Sequence, residues 1–490
     1  MPPQAAAPKE SPRHTEQNTN STPNPRHSVS LYLMTKTNCL LVLWALMPAS
    51  LAAAPTQYNV RDFGAAGDNR AKDTAAIQSA IEACAKEGGG TVYFPAGRYL
   101  TGTIELRSHV TFEIGPGAVI LGSEDPADYP LRDNPWGSGR QSISSLIYAA
   151  DAEDITITGR GTIDGQGQVW WKRQWLAAPK AGMPKPSTPA DFEEIKKLAN
   201  GRPQLIGIVR SKHVVIEKVH LIHSPSWTIH PLFCEFVRVD GVTIENPVPS
   251  PNTDGINPES CRNVQIMNCR IDVGDDCVTL KSGSNEVGRK AGKPDENITI
   301  TNCVMLKGHG GVTIGSEMSG GVRNVVVSNC VFQGTDAGIR VKSQRGRGAV
   351  VEGLSVSNIV MQDVLSAFTI TTFYMGSDKP GDVFPVNEGT PRFRDFMFSN
   401  INARGSKTAG QITGLKEMPV EDITFSNVHV QAQTGLTCTN AQDIFFRDVV
   451  IDTEKGPGLT VVNSTGLDTA RLTTRRPHPG VPLIATAPEK

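Results

Sequence analysis

Apolar residues recur along this chain in short alternating runs, and one such run repeats. Asn263-Val-Gln-Ile-Met-Asn268-Cys269 is followed by Asn297-Ile-Thr-Ile-Thr-Asn302-Cys303 and by Arg323-Asn-Val-Val-Val-Ser-Asn329-Cys330. The phrase returns at residues 354–359, 396–401 and 423–428, with degenerate copies at 155–159, 214–219 and 237–244. Alternation of period two closed by a turn residue is the signal of a β-strand. Successive closing Asn residues, from Asn268 to Asn427, are separated by 34, 27, 29, 42 and 27 residues. A period in the twenties with insertions marks a solenoid. The predicted fold is therefore all-β: a right-handed, single-stranded parallel β-helix, with each strand about 4.8 Å above the last. Asn268, Asn302, Asn329, Asn358, Asn400 and Asn427 are expected to align at one corner as a hydrogen-bonded ladder. Cys269, Cys303 and Cys330 should stack beside it as small core groups, although a bridge between two of them stays open.

Ahead of the repeats the period changes. Asp73 and Thr74 read as a helix start, and Ile77, Ala80, Ile81 and Cys84 share one face. Gly88 to Gly90 stop the helix, and strands follow at 92–94 and 99–100. Such a helix would cap the end of the stack and protect its edge. Further upstream, residues 1–33 are rich in Pro, Asn, Ser and Thr, which predicts disorder or a misassigned start. Lys36, the apolar run at 39–47 and the small residues at 49–54 make residues 34–54 a secretory signal, with cleavage near Ala54. A buried strand is the alternative; the run is too short to span a bilayer. The β-helix domain is assigned to 55–455, and the Pro-, Thr- and Arg-rich residues 456–490 to a loose tail. Longer gaps at 171–203, 285–295 and 376–391 should be loops projecting from the stack, the first containing a short helix at 190–198.

Composition narrows the choice of partner. Among 490 residues, 48 Lys and Arg balance 49 Asp and Glu, which gives no reason to expect nucleic acid or an anionic membrane as partner. Abundant Gly, at 47, with only 6% aromatics suits turns and strands better than a helical bundle. The nine Cys show no metal-type spacing. No cofactor or metal is expected, and the expected product is an exported monomer, secreted or periplasmic.

Chemistry-bearing side chains concentrate in four segments: PNTDGIN at 251–257, VGDDC at 273–277, GHGG at 308–311 and IRVKS at 339–343. Asp254 to Asp275 is 21 residues, Asp275 to His309 is 34, and His309 to Arg340 is 31. Each interval is one coil, so acid, acid pair, imidazole and cations should form a stripe down one face. Ile339 and Val341 point inward, which turns Arg340 and Lys342 outward together. Strict alternation would bury Asp276 with Val278 and Leu280, and an unpaired carboxylate there is very costly. A bulge or kink at 274–276 is therefore expected, bringing both acids to a cleft. Glycosidic hydrolysis needs one protonated and one ionised carboxyl, and crowding of three acids raises at least one pKa. Spacing alone leaves inverting and retaining chemistry both open. Asn252, which shares parity with Asp254, and Tyr374 in the coil after Arg340 are candidate sugar contacts; Tyr374 is as consistent with core packing. His223, Trp227 and His230, a coil before Asp254, border the cleft or pack in the core.

These four motifs in this order resemble the signature of the polygalacturonase family of pectin-cleaving glycoside hydrolases. The resemblance extends from about Tyr58 to about Val450, and the DFGA…GGG.V.FP.G.Y pattern of the first coils resembles the N-terminal cap of pectin-degrading β-helices. It implies that Asp275 is the general acid, that Asp254 and Asp276 activate water, and that the anomeric carbon is inverted. It implies that His309, whose flanking glycines would let a ligand approach, supports the acids and the substrate. Arg340 and Lys342 would hold a galacturonate carboxylate; the motif here is Arg-Val-Lys rather than the commoner Arg-Ile-Lys. The implied substrate is pectic polysaccharide or oligogalacturonide with α-1,4 linkages, and the long insertions suggest exo action. Three alternatives stand beside it: another pectic backbone (rhamnogalacturonan or xylogalacturonan), a calcium-dependent pectate lyase, and a non-catalytic carbohydrate-binding β-helix.

Overall fold

The computed structural model describes residues 57–488, apart from 138, 180–182, 184 and 377. The expectations for 1–33 and 34–54 lie outside the described residues. What is described is a parallel β-helix. Strands Arg262–Met267, Arg270–Asp272 and Val278–Leu280 make one coil. They pair in parallel with Asp295–Thr301, Val304–Leu306 and Val312–Ile314 of the next. Inward residues such as Val264, Ile266, Ile271, Val278 and Leu280 are buried in one continuous core.

The corner residues behave as their spacing predicts. Asn268, Asn302, Asn329, Asn358, Asn400 and Asn427 all take the left-handed conformation, with φ between 52° and 58°. Asn tolerates that region better than most residues because its short polar side chain bonds locally. Side-chain amides then link coils: Asn358 Nδ2 donates to Asn329 Oδ1 at 3.2 Å, Asn400 Nδ2 to Asn358 Oδ1 at 3.2 Å, and Asn427 Nδ2 to Asn400 Oδ1 at 2.8 Å. Cys269, Cys303 and Cys330 are buried free thiols, as are the other cysteines of the described residues.

Helix α1 (Thr74–Lys86) buries Ile77, Ala80, Ile81 and Cys84 against the first strands. Asp73 precedes it, but its carboxylate accepts from the amides of Ala66 and Gly67 at 2.7 and 3.0 Å instead of capping the helix. The insertions hold more structure than expected. Helix α2 (Gly167–Ala177) precedes and enters the first predicted loop, anchored by the buried Trp170. Trp170 packs edge-on to Tyr129, with the Arg173 guanidinium over its ring. Helix α3 (Pro189–Lys196) follows with a Thr188–Asp191 capping box, and α4 (Asn285–Ala291) occupies the second predicted loop. The stack also runs past 455. Leu459–Val462 pairs with the strand Val420–Thr439 and with Ile484–Thr486, so residues expected as a loose tail form further rungs. Their Pro and Arg content reflects the turns between very short strands.

The ladder is testable at Asn358. Asn358→Ala loses two inter-coil hydrogen bonds and places a Cβ-bearing residue at φ 56° without a local partner. We expect a loss of about 2 kcal/mol in denaturant unfolding, with Asn358→Gly losing roughly half as much. Equal losses would mean that the backbone conformation contributes nothing.

Candidate active site

One face of the helix carries the chemistry. Ile229–Leu232, the bridge residues Ile256 and Glu259, Val278–Leu280, Val312–Ile314, Ala337–Lys342 and Ser366–Thr371 stack in register there. Outward positions form a row through His230, Asn257, Thr279, Thr313, Arg340 and Thr369. Because Ile256 pairs with Val278, the residue stacked on Asp254 is Asp276, and not Asp275 as the spacing suggested. Asp275 lies beside this pair, under His309, whose backbone amide donates to the Asp275 carbonyl at 2.9 Å.

The chain does kink at the acids, at a coil corner rather than at a bulge within a strand. Residues 273–277 lie between strands Arg270–Asp272 and Val278–Leu280. Asp276 is nevertheless buried, only 1% exposed, as alternation demanded. The burial is tolerated because it is paired. Its carboxylate accepts from Lys342 Nζ at 2.8 Å, Thr313 Oγ1 at 2.9 Å and Arg340 Nη1 at 3.4 Å. Asp254, also buried, accepts from Asn257 Nδ2 at 3.1 Å and Thr279 Oγ1 at 3.4 Å, with Lys281 Nζ 4.0 Å away. Asp275 is the most exposed of the three and meets His309 Nδ1 at 3.0 Å. One oxygen from each carboxylate lies within 4.8 Å of the others.

The electrostatics separate the acids. Burial, reinforced by the charge of Asp275, pushes the Asp254 carboxyl up to about 7. Burial works the same way on Asp276, but the Lys342 ammonium and the Arg340 guanidinium outweigh it and hold Asp276 below the usual carboxylate range. Donating from Nδ1 to the Asp275 carboxylate raises the His309 imidazole above its ordinary value. One acid is thus pinned ionised and another poised to keep a proton, the division that acid–base chemistry requires. The same three carboxylates are the group that could ligate a cation, yet Lys342 and Lys281 already supply positive charge at that place.

The glycines around His309 serve packing more than ligand approach. A Cβ at Gly310 would sit 2.2 Å from Thr313 Oγ1 and 2.9 Å from Asp276 Oδ1. A Cβ at Gly308 would sit 2.3 Å from the Asp275 carbonyl oxygen. Asn252 adopts φ 53°, which breaks its parity with Asp254. It sits exposed at the rim, 3.5 Å from Asp275 Oδ2, where Arg202 Nη2 donates to its Oδ1 at 2.8 Å. Tyr374 is not a core aromatic: its half-buried ring lies 4.8 Å from Lys342 Nζ and 5.4 Å from the Arg340 guanidinium carbon. His223 bonds Asp164 at 3.1 Å and joins none of the acids. His230 is held by Glu259 at 2.9 Å and Gln204 at 3.0 Å, and Trp227 lies 4.8 Å from Lys281 Nζ.

Sequence reasoning missed Lys281, Asn257, Arg202 and Glu317. Lys281 had a signal, since it alternates outward after Val278 and Leu280; its ammonium bonds Glu317 at 3.0 Å. Asn257 closes the PNTDGIN motif itself. Arg202, brought to about 10 by burial, comes from an insertion without periodicity. Toward the N-terminal coils the groove opens into a cavity of about 780 Å³ lined by Trp136, Arg140, Arg202, Trp227, His230 and Glu317. Its walls are the hairpin of Leu131–Asp133 and Gln141–Ile143, residues 200–204, and the start of α4.

A model of Glycosyl hydrolases family 28 matches residues 92–450, and one of Rhamnogalacturonase A/epimerase, pectate lyase-like, matches 57–119. A probable polygalacturonase of Vitis vinifera is 35% identical over 422 residues, covering 82% of this chain and 81% of its own. An exo-poly-alpha-D-galacturonosidase of Dickeya chrysanthemi is 28% identical, covering 81% of this chain and 71% of its own. The crystal structure of a hyperthermoactive exopolygalacturonase from Thermotoga maritima aligns with a TM-score of 0.66 at 30% identity, covering 80% of this chain and 92% of that one.

The Asp254 environment makes stability depend on pH. Its carboxyl titrates at about 7 when folded and near about 4 when unfolded, so the native state binds the extra proton between these values. Stability therefore falls as pH rises through that window. In melting scans from about pH 4 to about pH 8, the wild type should lose at least about 1 kcal/mol more than Asp254→Asn. Parallel curves would contradict the assignment.

Proposed function

The chain belongs to glycosyl hydrolases family 28 and is a glycoside hydrolase of the polygalacturonase type, and from that premise we propose that it cleaves α-1,4-galacturonosyl linkages of polygalacturonate from a chain end, with inversion. Asp275, the most exposed acid, delivers a proton to the leaving oxygen, and His309 at 3.0 Å orients it. Asp254 and Asp276, stacked on the groove floor, activate the attacking water together: Asp276, held ionised by Lys342 and Arg340, takes its proton, and Asp254 beside it holds the water in place by hydrogen bonding. Arg340 gives Asp276 only one long bond, which leaves guanidinium donors for a galacturonate carboxylate, a planar group that matches its fork. Lys342 and the Tyr374 ring complete that subsite, with Asn252 at the rim.

The observation that carries this reading is the pairing of three carboxylates with cations on one groove: acid–base chemistry and carboxylate recognition coincide there. Exo action is supported by the walled cavity at the N-terminal end, which leaves room for a chain terminus. Retention is the second reading, because carboxylate oxygens within 4.8 Å are closer than the roughly 6.5–9.5 Å usual for inversion. Against it, Asp276 is buried with both oxygens engaged in hydrogen bonds, and buried Asp254 keeps its proton up to about 7, so neither presents an open ionised nucleophile. The lysines beside the acids replace the charge a calcium-dependent lyase would need. Among the described residues no helix is long and apolar enough to cross a membrane. Export through residues 34–54, followed by action as a monomer, belongs to this proposal.

Asp275→Asn should lower turnover by at least about 10³-fold with melting temperature and substrate binding retained; a variant with near-normal turnover removes Asp275 as the acid. On polygalacturonate, one short product should accumulate from the first minutes, and a ladder of oligomers means endo action. Proton NMR of the first-formed product should show the β-anomer; the α-anomer means retention. A chelator should leave the rate unchanged, and no ultraviolet-absorbing unsaturated product should form.

A further inference from the structure

The groove does not end at Tyr374. Register carries it onto three more coils: Arg340 leads to Thr369, Gln411 and Thr437, and Lys342 leads to Thr371, Thr413 and Thr439. A flanking row runs through Ser366, Thr408 and Thr434. Over these rows lies a depression of about 580 Å³, bordered by Phe373 and Pro380. From Thr369 to Thr437 it spans two coil steps, about 10 Å.

The lining is hydroxyl and amide, and no charged side chain takes part in it. The nearby cation Arg345 is consumed elsewhere, bonding Asp378 at 2.9 Å and Glu417 at 2.7 Å. The side chains of Gln411, Thr413, Thr437 and Thr439 bond to no other protein group among the described residues, so their donors and acceptors face the depression unused. The contrast with the other side of the acids is sharp. There Arg140 and Arg202 line the walled cavity beside Lys281, which bonds Glu317 of the same lining, whereas Arg340 and Lys342 stand between the acids and the near edge of the depression.

We propose that this hydroxyl-lined depression is the downstream binding surface for the substrate chain, and that it takes uncharged sugar units, methyl-esterified galacturonosyl above all. The proposal rests on the reading of the site as an exo-acting galacturonan hydrolase, with the terminal unit in the walled cavity. An ionised unit placed over the depression would give up hydration without gaining a counter-charge, which is unfavourable. An ester or a neutral sugar loses little hydration and exchanges hydrogen bonds with threonine and glutamine groups on equal terms. The enzyme would then require a charge at the cleaved end and be indifferent to charge beyond it.

The test uses oligogalacturonides of one length, either unesterified or methyl-esterified on every unit beyond the one held by Arg340 and Lys342 just downstream of the cleaved linkage. Wild-type kcat/KM on the esterified chain should equal or exceed that on the unesterified chain, within about threefold. Gln411→Lys and Thr437→Lys, each checked for an unchanged melting temperature, should shift the ratio at least about fivefold toward the unesterified chain. A wild-type loss of about tenfold or more on the esterified chain overturns the proposal, as does a ratio that neither lysine variant moves. Calorimetric binding of both chains to Asp275→Asn is measured in parallel. If the wild type turns over neither chain, the hydrolase reading fails, and the binding ratio decides the groove by the same thresholds.

Discussion

Each coil is hydrogen-bonded to the next in parallel register, and that constraint fixes the height of every side chain on the groove face. A residue's position in the site is set by which coil it belongs to and by its place relative to the inward apolar residues. Ile256 on Val278, Val278 on Val312 and Val312 on Ile339 are the contacts that bring residues from 254 to 342 to one stripe. Few of these groups are close in sequence, and the stripe needs no local motif to assemble it. The Asn ladder at the opposite corner holds the same register from outside the core.

Register also creates a problem that the site turns to use. Stacking like positions puts Asp254 on Asp276, two carboxylates sharing a buried floor. Two ionised carboxylates there would repel in a medium that screens poorly. Lys342 and Arg340 reach back from two coils away and fix the charge on Asp276. Asp254, with Lys281 no closer than 4.0 Å, relieves the repulsion by keeping a proton to about 7. The proton reservoir is thus a consequence of stacking. The compensation comes from Lys342, Arg340 and Lys281, side chains carried on neighbouring coils of the same stripe.

Much of this was legible in the sequence, because a solenoid converts spacing into geometry. The repeat, the Asn corner, the buried face of α1 and the stripe from Asp254 to Lys342 all follow from period and parity. What failed has physical causes. Asp275 was matched to Asp254 because interval counting is good only to a residue or so at a corner, where parity lapses. Residues 285–291 and 167–177 look irregular between strands, yet short helices form there because Trp170 and the groove wall give them something to pack against. Arg202 was invisible because its place depends on carbonyls of Pro225 and Pro251, which no pattern announces. The last coils were read as a tail because strands of two to four residues are too short to show alternation.

The insertions give the groove its direction. An insertion at a coil corner projects at the height of that coil, so its position in the chain decides which end it covers. The hairpin at 131–143, the segment at 200–204 and the first turn of α4 all rise around the cavity that contains His230. His230 is stacked next to Asn257, one coil step from the floor that carries Asp254. The wall therefore stands only a coil or two, roughly 5–10 Å, beyond the acids. The proposed attack from a chain end would use that short distance to seat one terminal unit. On the other side, Arg345 holds the long insertion through Asp378 and the Asp382 carbonyl and ties it to Glu417. That places the insertion beside the rows from Thr369 to Thr437, along the flank of the depression marked by Phe373 and Pro380. Insertions gathered around one end of the groove and fewer at the other are the asymmetry that the proposed attack from a chain end would use, and in this fold it arises from where along the chain the extra residues were placed.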